Sequence, residues 1–96
     1  MAEHLTIKTE DRGLLKPLVT SALAHEKKIL AMGIARTRAR ITAFEETYDM
    51  SSAEFERRLH ALELVETPEF TDWRMELEAL RLLEKQHQAL DEAHLD

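Results

Sequence analysis

The chain has 96 residues, which is enough for one domain with a modest core. It contains no cysteine, which excludes disulfides as well as cysteine-based metal sites and nucleophiles. Two glycines, two prolines and 33% charged residues fit a mostly helical protein, since sheets and loops need more turn residues. The N-terminus lacks the layout of a signal peptide and no apolar run has membrane-spanning length, so we expect a cytoplasmic protein without membrane contact.

Charge is distributed unevenly along the chain, whose net charge is −6. Residues 1–48 carry eight Lys or Arg against six Asp or Glu, a net charge of +2. Residues 49–96 carry five Lys or Arg against thirteen Asp or Glu, a net charge of −8. So acidic a half argues against nucleic-acid binding. It fits either a basic partner protein or a solvated acidic helix face.

Residues 1–12 are expected to form an extended N-terminal arm, followed by a helical domain over residues 13–96. In the arm, Leu5 and Ile7 alternate with polar residues, which is typical of a short strand. We find no second strand candidate in the sequence, and a single strand cannot satisfy its backbone hydrogen bonds. The arm is therefore expected to be either disordered or paired with another chain, which makes Leu5 and Ile7 candidate partner-binding residues.

A long helical pattern begins at Gly13 or Leu14 and continues to Tyr48. At ~1.5 Å per residue such a helix is ~50 Å long, and it needs another helix alongside. One apolar stripe follows mostly alternating steps of three and four residues, the spacing of a heptad seam. This seam consists of Leu23, Leu30, Ile34, Thr37, Ile41, Phe44 and Tyr48.

The first half of this helix carries a second apolar stripe beside the seam, formed by Leu15, Leu18, Ala22, Ile29 and Met32. One antiparallel neighbour covers only one stripe of a helix. We therefore expect another subunit or a partner protein on the second stripe, with Leu15, Leu18, Ile29 and Met32 among the contact residues.

The segment "TYDMSSAEFERR" (residues 47–58) predicts a new helix in the middle of the chain. Ser51 followed by Glu54 is the S-x-x-E capping box, and Met50 with Phe55 would form the accompanying hydrophobic staple. The helix is expected over about residues 52–64. Its predicted inward face consists of Phe55, Leu59 and Leu62.

The last helix is predicted to begin after Thr67 as N-cap, with Pro68 in the first helical position, and to end in the low 90s. Its apolar stripe is Phe70, Trp73, Leu77, Leu80, Leu83, His87 and Leu90. The sequence thus predicts an all-α fold, a long antiparallel, coiled-coil-like hairpin with a short middle helix at the bend. Trp73 is expected in the core, and it would be the natural partner anchor if it were exposed.

Four polar residues of the last helix, Glu84, His87, Asp91 and His94, follow steps of three, four and three and share one face. Glu-x-x-His at this spacing recurs in di-iron bundles, where facing helices supply further carboxylates. The seam of the long first helix offers none. We therefore predict no metal and no cofactor, and we interpret the four residues as a polar helix end; a metal-binding hairpin is the alternative.

The segment "ARTRAR" places Arg36, Arg38 and Arg40 close together, and such a cluster could hold phosphate. No helix-turn-helix signature accompanies it in this acidic chain. We expect instead a solvated face that pairs within the chain with the acidic last helix.

Nothing in the sequence assembles a catalytic site. Ser21, Ser51 and Ser52 lack the histidine and carboxylate context of a nucleophile, and two glycines cannot form a glycine-rich phosphate loop. We predict that the chain is not an enzyme.

Three segments together, "ITAFEETYDM", "SSAEFERR" and "FTDWRMELEALRLLE", resemble a family of small helical proteins of bacteria and archaea. The family shares an aromatic-x-Met-Ser/Thr-x-x-Glu-Phe corner and a downstream Phe-x-x-Trp, and the resemblance covers roughly residues 14–90. Its members are often encoded beside another small gene in arrangements like type II toxin–antitoxin pairs. The resemblance implies an antitoxin-like role, in which the chain binds and neutralises a small toxin-like partner protein.

Two hypotheses of different kinds follow. The first is an antitoxin-like binding module that uses the helix stripes and the N-terminal arm. The second is a homo-oligomeric coiled-coil protein, a dimer or larger, whose assembly is itself the function. They differ in whether the second stripe meets a foreign surface or a copy of itself.

Overall fold

A computed structural model describes residues 4–5 and 12–95, with side chains from residue 13 to residue 93. Three helices follow one another along the chain: α1 (Arg12–Tyr48), α2 (Ser52–His60) and α3 (Pro68–Glu92). α1 packs against α3, and α2 lies in the connection between them. The chain measures 60 × 22 × 18 Å. The predicted all-α hairpin with a short middle helix is confirmed.

From Leu30 onward, the predicted heptad seam of α1 faces α3. Leu30, Thr37 and Ile41 are buried, and the other seam residues are half-buried. On α3, Trp73 and Leu77 of the predicted apolar stripe are buried. The three- and four-residue steps therefore identified the correct face of each helix, because those positions return to the same side of a helix turn after turn.

Two strands of two residues each, β1 (His4–Leu5) and β2 (His94–Leu95), pair in parallel. The prediction that the arm finds no strand partner in its own chain is therefore wrong for this segment. β2 is too short to produce an alternating pattern, so the sequence offered no signal for it. Because β2 follows α3 almost directly, the pairing attaches β1 to the end of the hairpin remote from α2. Ile7 lies outside the described residues.

α1 ends in a Schellman-type turn. Asp49 adopts the left-handed conformation with φ 49°, and the Met50 N–H donates to the Glu45 carbonyl oxygen at 3.1 Å. The next helix begins at once, since the Ser51 hydroxyl accepts a hydrogen bond from the Glu54 N–H at 3.1 Å. The predicted N-cap is confirmed.

The Glu54 side chain does not complete the predicted capping box, and a contact from α1 serves the first N–H of the helix instead. The Glu45 carboxylate accepts a hydrogen bond from the Ser52 N–H at 2.8 Å. Glu54 instead binds Arg57 and Arg58, and these hydrogen bonds lower its pKa to about 2. Glu45 therefore joins the end of one helix to the start of the next, a contact that spacing along the chain did not reveal.

α2 ends at His60, earlier than predicted. Leu62 adopts a left-handed conformation with φ 61°, and the Glu63 N–H closes a second Schellman-type turn on the Arg58 carbonyl oxygen at 2.9 Å. The side chain of Leu62 is 88% exposed, so its predicted inward position is wrong. The chain reverses at this residue, which removes it from the helix face that Phe55 and Leu59 share.

α3 begins as predicted. The Thr67 hydroxyl accepts a hydrogen bond from the Phe70 N–H at 3.2 Å, and Pro68 occupies the first turn, where its missing N–H costs nothing. The helix ends at Glu92, within the predicted limits.

Candidate partner-binding face

The bend is held by an aromatic cluster, which consists of Phe44, Tyr48, Phe55, Phe70 and Trp73. The ring of Phe55 stacks on Trp73 with centroids 4.0 Å apart and planes within 1°. Phe44 and Tyr48 also stack on Trp73, at 5.7 and 5.9 Å. All three helices thus contribute rings, and Phe55 and Trp73 are fully buried.

Trp73 is a core residue in this arrangement. Its indole N–H donates to the Ser52 hydroxyl at 3.1 Å, which satisfies the polar atom of the ring. The expectation of a core position is confirmed, and because none of the Trp73 surface is exposed, the condition for a role as partner anchor is not met in this conformation.

The open end of the hairpin lies opposite the bend, and it has a different construction. Lys27 pairs with Asp91 and Arg40 with Glu76, which sets the register of α1 against α3. Since α3 ends at Glu92, the α1 residues before His25 lie beyond it. At ~1.5 Å per residue this segment, residues 12–24, is ~20 Å long. It has no helical neighbour among the described residues.

The second apolar stripe of α1 is exposed along most of its length. The exposed fractions are 65% for Leu18, 47% for Ile29 and 57% for Met32, whereas Leu15 is half-buried. We call this surface the apolar face; it consists of Leu15, Leu18, Ala22, Ile29 and Met32. The structure places four predicted contact residues together on it, and their contact with a partner stays a prediction.

Two exposed apolar residues of α3 were not among the predicted contact residues. Met75 is 56% exposed and Leu82 is 57% exposed. They are about two helical turns apart and so share one side of α3. Neither residue belongs to the heptad stripe of α3, so that stripe does not predict them. The apolar residues off the stripe are the sequence feature that indicates them.

Two of the three clustered arginines pair within the chain, as predicted. Arg38 contacts Glu84 at 2.7 Å, and Arg40 contacts Glu76 at 3.2 Å. Exposed pairs of this kind contribute about 0–1 kcal/mol each, so they position the helices more than they stabilise them. Two of the three arginines that could hold a phosphate are therefore already paired with carboxylates.

Glu84, His87 and Asp91, three of the four candidate metal ligands, lie near one another but are engaged in ion pairs. Glu84 is held by Arg38, and Asp91 binds Lys27 and lies 3.4 Å from the His87 Nδ1. The hydrogen bond from Lys27 lowers the pKa of Asp91. No three histidine, aspartate or glutamate side chains among residues 13–93 are grouped to hold a metal ion, and the side chain of His94 lies outside that range.

An open groove of about 500 Å³ lies beside the aromatic cluster, between the last turns of α1 and the first turns of α3. We call the apolar and aromatic part of its lining the floor; it consists of Ala43, Phe44, Tyr48 and Met75. We call the polar part of its lining the edge; it consists of Arg40, Thr47, Glu69, Asp72 and Glu76. We call this surface the bend groove.

No protein-family model, curated protein or solved structure matches the chain. Among the helices that the structure describes, none combines the length and apolar character needed to span a membrane. We therefore infer function from the apolar face, from the bend groove and from the sequence resemblance.

Proposed function

We propose that the chain is an antitoxin-like protein that binds and neutralises a small partner protein through the apolar face of α1. The observation that supports this proposal is the exposure of Leu18, Ile29 and Met32 after the hairpin has closed its own seam. A row of exposed apolar side chains along one helix face is typical of an interaction site. The resemblance to antitoxin-like proteins supplies the class of partner.

The spacing of the apolar face suits a helix as the contacting element. Leu15, Leu18, Ala22, Ile29 and Met32 follow three- and four-residue steps, interrupted only at His25. Such a stripe accommodates the apolar side chains of a second helix. Full burial of one aliphatic side chain contributes about 1.5–3 kcal/mol, so the apolar face would supply part of the binding free energy, and the rest of the interface would have to offset the entropy lost on association.

A second copy of the chain is the other candidate occupant. The same spacing is self-complementary, which favours a homo-oligomer as the alternative function. An antiparallel pair of copies centred between Ala22 and His25 would bring Leu15 against Met32 and Leu18 against Ile29.

Affinity capture of the tagged chain from its native cells tests the proposal. We expect one small protein in a fixed ratio, and we expect its expression alone to arrest growth that co-expression of this chain restores. The double variant Leu18→Asn with Met32→Asn should lose both capture and rescue. Val65→Asn with Leu82→Asn is the matched control, because it places the same two polar groups at exposed apolar positions away from the apolar face.

Light scattering separates the two candidates. A stable multimer of the pure chain that the Leu18→Asn/Met32→Asn variant converts to a monomer would contradict the antitoxin-like proposal and support self-assembly. A monomer that gains mass only with the captured protein would exclude the self-assembly alternative.

A further inference from the structure

The bend groove has features of a second contact site, selective for charge. We infer that it receives an arginine- or lysine-bearing segment of the partner protein. This inference rests on the proposed function, since it concerns the chemistry of the same partner.

The floor of the groove suits a long cationic side chain. Phe44 and Tyr48 are held in place because each ring stacks on the buried Trp73. Met75 adds a flexible apolar side chain that is 56% exposed. Arginine and lysine lay their methylene stems along such surfaces, and their charged ends are attracted to the faces of aromatic rings.

The edge of the groove determines the sign of the charge. Three carboxylates, of Glu69, Asp72 and Glu76, stand against one guanidinium, of Arg40, so the lining carries a net charge of −2. Arg40 is already paired with Glu76 at 3.2 Å. Glu69 and Asp72 are exposed, and they leave the groove attractive to a cation and repulsive to an acidic segment.

One partner helix could contact both surfaces. Met32 of the apolar face and Ala43 of the groove floor are about three helical turns apart, so they lie on the same side of α1, ~16 Å from each other. Arg36 is exposed between them, on the same side. The partner segment is therefore expected to place its cationic residue over the groove, beyond Arg36, and an apolar stripe over the apolar face.

The first measurement uses defined probes. A fluorescent amphipathic peptide of leucine, alanine and arginine is titrated against the chain, beside the same peptide with glutamate in place of arginine. We expect the arginine peptide to bind and the glutamate peptide not to bind. We expect the Glu69→Gln/Asp72→Asn variant to bind the arginine peptide about tenfold more weakly. The matched control, Glu46→Gln with Glu63→Gln, changes the net charge equally at exposed positions outside the groove. Circular dichroism of each variant verifies the fold.

Equal weakening by both double variants would overturn the inference, because it would mean general attraction to an acidic protein. The captured partner separates this failure from failure of the proposed function. If the groove variant retains the partner and the Leu18→Asn/Met32→Asn variant loses it, the proposed function stands and the groove inference falls. If the groove variant instead dissociates a homo-oligomer, a second copy is the occupant and the inference is overturned.

Discussion

The two ends of the hairpin are built on different principles. At the bend, five aromatic rings from three helices meet, Phe55 and Trp73 are fully buried, and helix caps join successive elements. At the open end, α1 continues past the last residue of α3 and exposes Leu18 and, nearer the middle, Ile29 and Met32.

The difference shows how so small a protein combines a buried core with an exposed apolar surface. Apolar side chains stabilise the fold only where folding removes them from water. The aromatic cluster concentrates that burial at one end of the molecule. The open end leaves apolar surface exposed, which is the surface proposed to bind a partner, and this end is expected to be the less stable part of the hairpin.

The largest effect on stability is expected from removal of the Trp73 ring at the bend. Trp73→Ala eliminates three stacking contacts and a hydrogen bond, and we expect a loss of about 3–5 kcal/mol in the free energy of unfolding. Leu18→Ala at the open end is the control, and its effect should stay within about 0.5 kcal/mol because the side chain is exposed. Urea unfolding followed by circular dichroism measures both. Similar losses in the two variants would refute the division of roles.

The contact between Glu45 and α2 should account for a smaller part of the stability of the bend. Glu45→Ala leaves the Ser52 N–H without its carboxylate acceptor, and we expect a loss of about 1 kcal/mol. The neighbouring Glu46→Ala removes an exposed carboxylate of the same helix turn and should have little effect. The comparison uses the same urea measurement, and indistinguishable variants would show that the cap across the two helices contributes nothing.

The turn after α2 offers a gain of stability. Leu62 holds a left-handed conformation that glycine adopts without steric cost, and its side chain is almost fully exposed. Leu62→Gly should therefore raise the free energy of unfolding by about 0.5–1 kcal/mol. Leu62→Ala keeps the Cβ and serves as control. If Leu62→Ala raises the free energy of unfolding as much as Leu62→Gly, the exposed leucine side chain, and not backbone strain, lowers the stability of the native protein.

Features that depend on neighbouring residues along the chain were predictable from the sequence. Ser51 and Thr67 were identified as N-caps because a short polar side chain before a helix serves its free N–H groups. The seam of α1 followed from its three- and four-residue steps. Leu62 was misplaced because the periodic pattern continues past the residue at which the chain turns.

Features that depend on contacts between distant segments were not predictable in the same way. Glu45 reaches Ser52 only because the turn at Asp49 folds the carboxylate back onto the next helix. The pairing of β1 with β2 joins the two ends of the chain, and two residues carry no period. The bend groove likewise exists only where Phe44 and Met75, from different helices, come together.

Helix type, helix starts and the apolar faces were thus encoded locally, since each depends on residues within a few turns of one another. The register of α1 against α3, the overhang of α1 and the shape of the bend groove were decided only by the tertiary structure. They depend on which side chains meet across the hairpin, and the periodicity of one helix does not determine the residue at which the neighbouring helix ends.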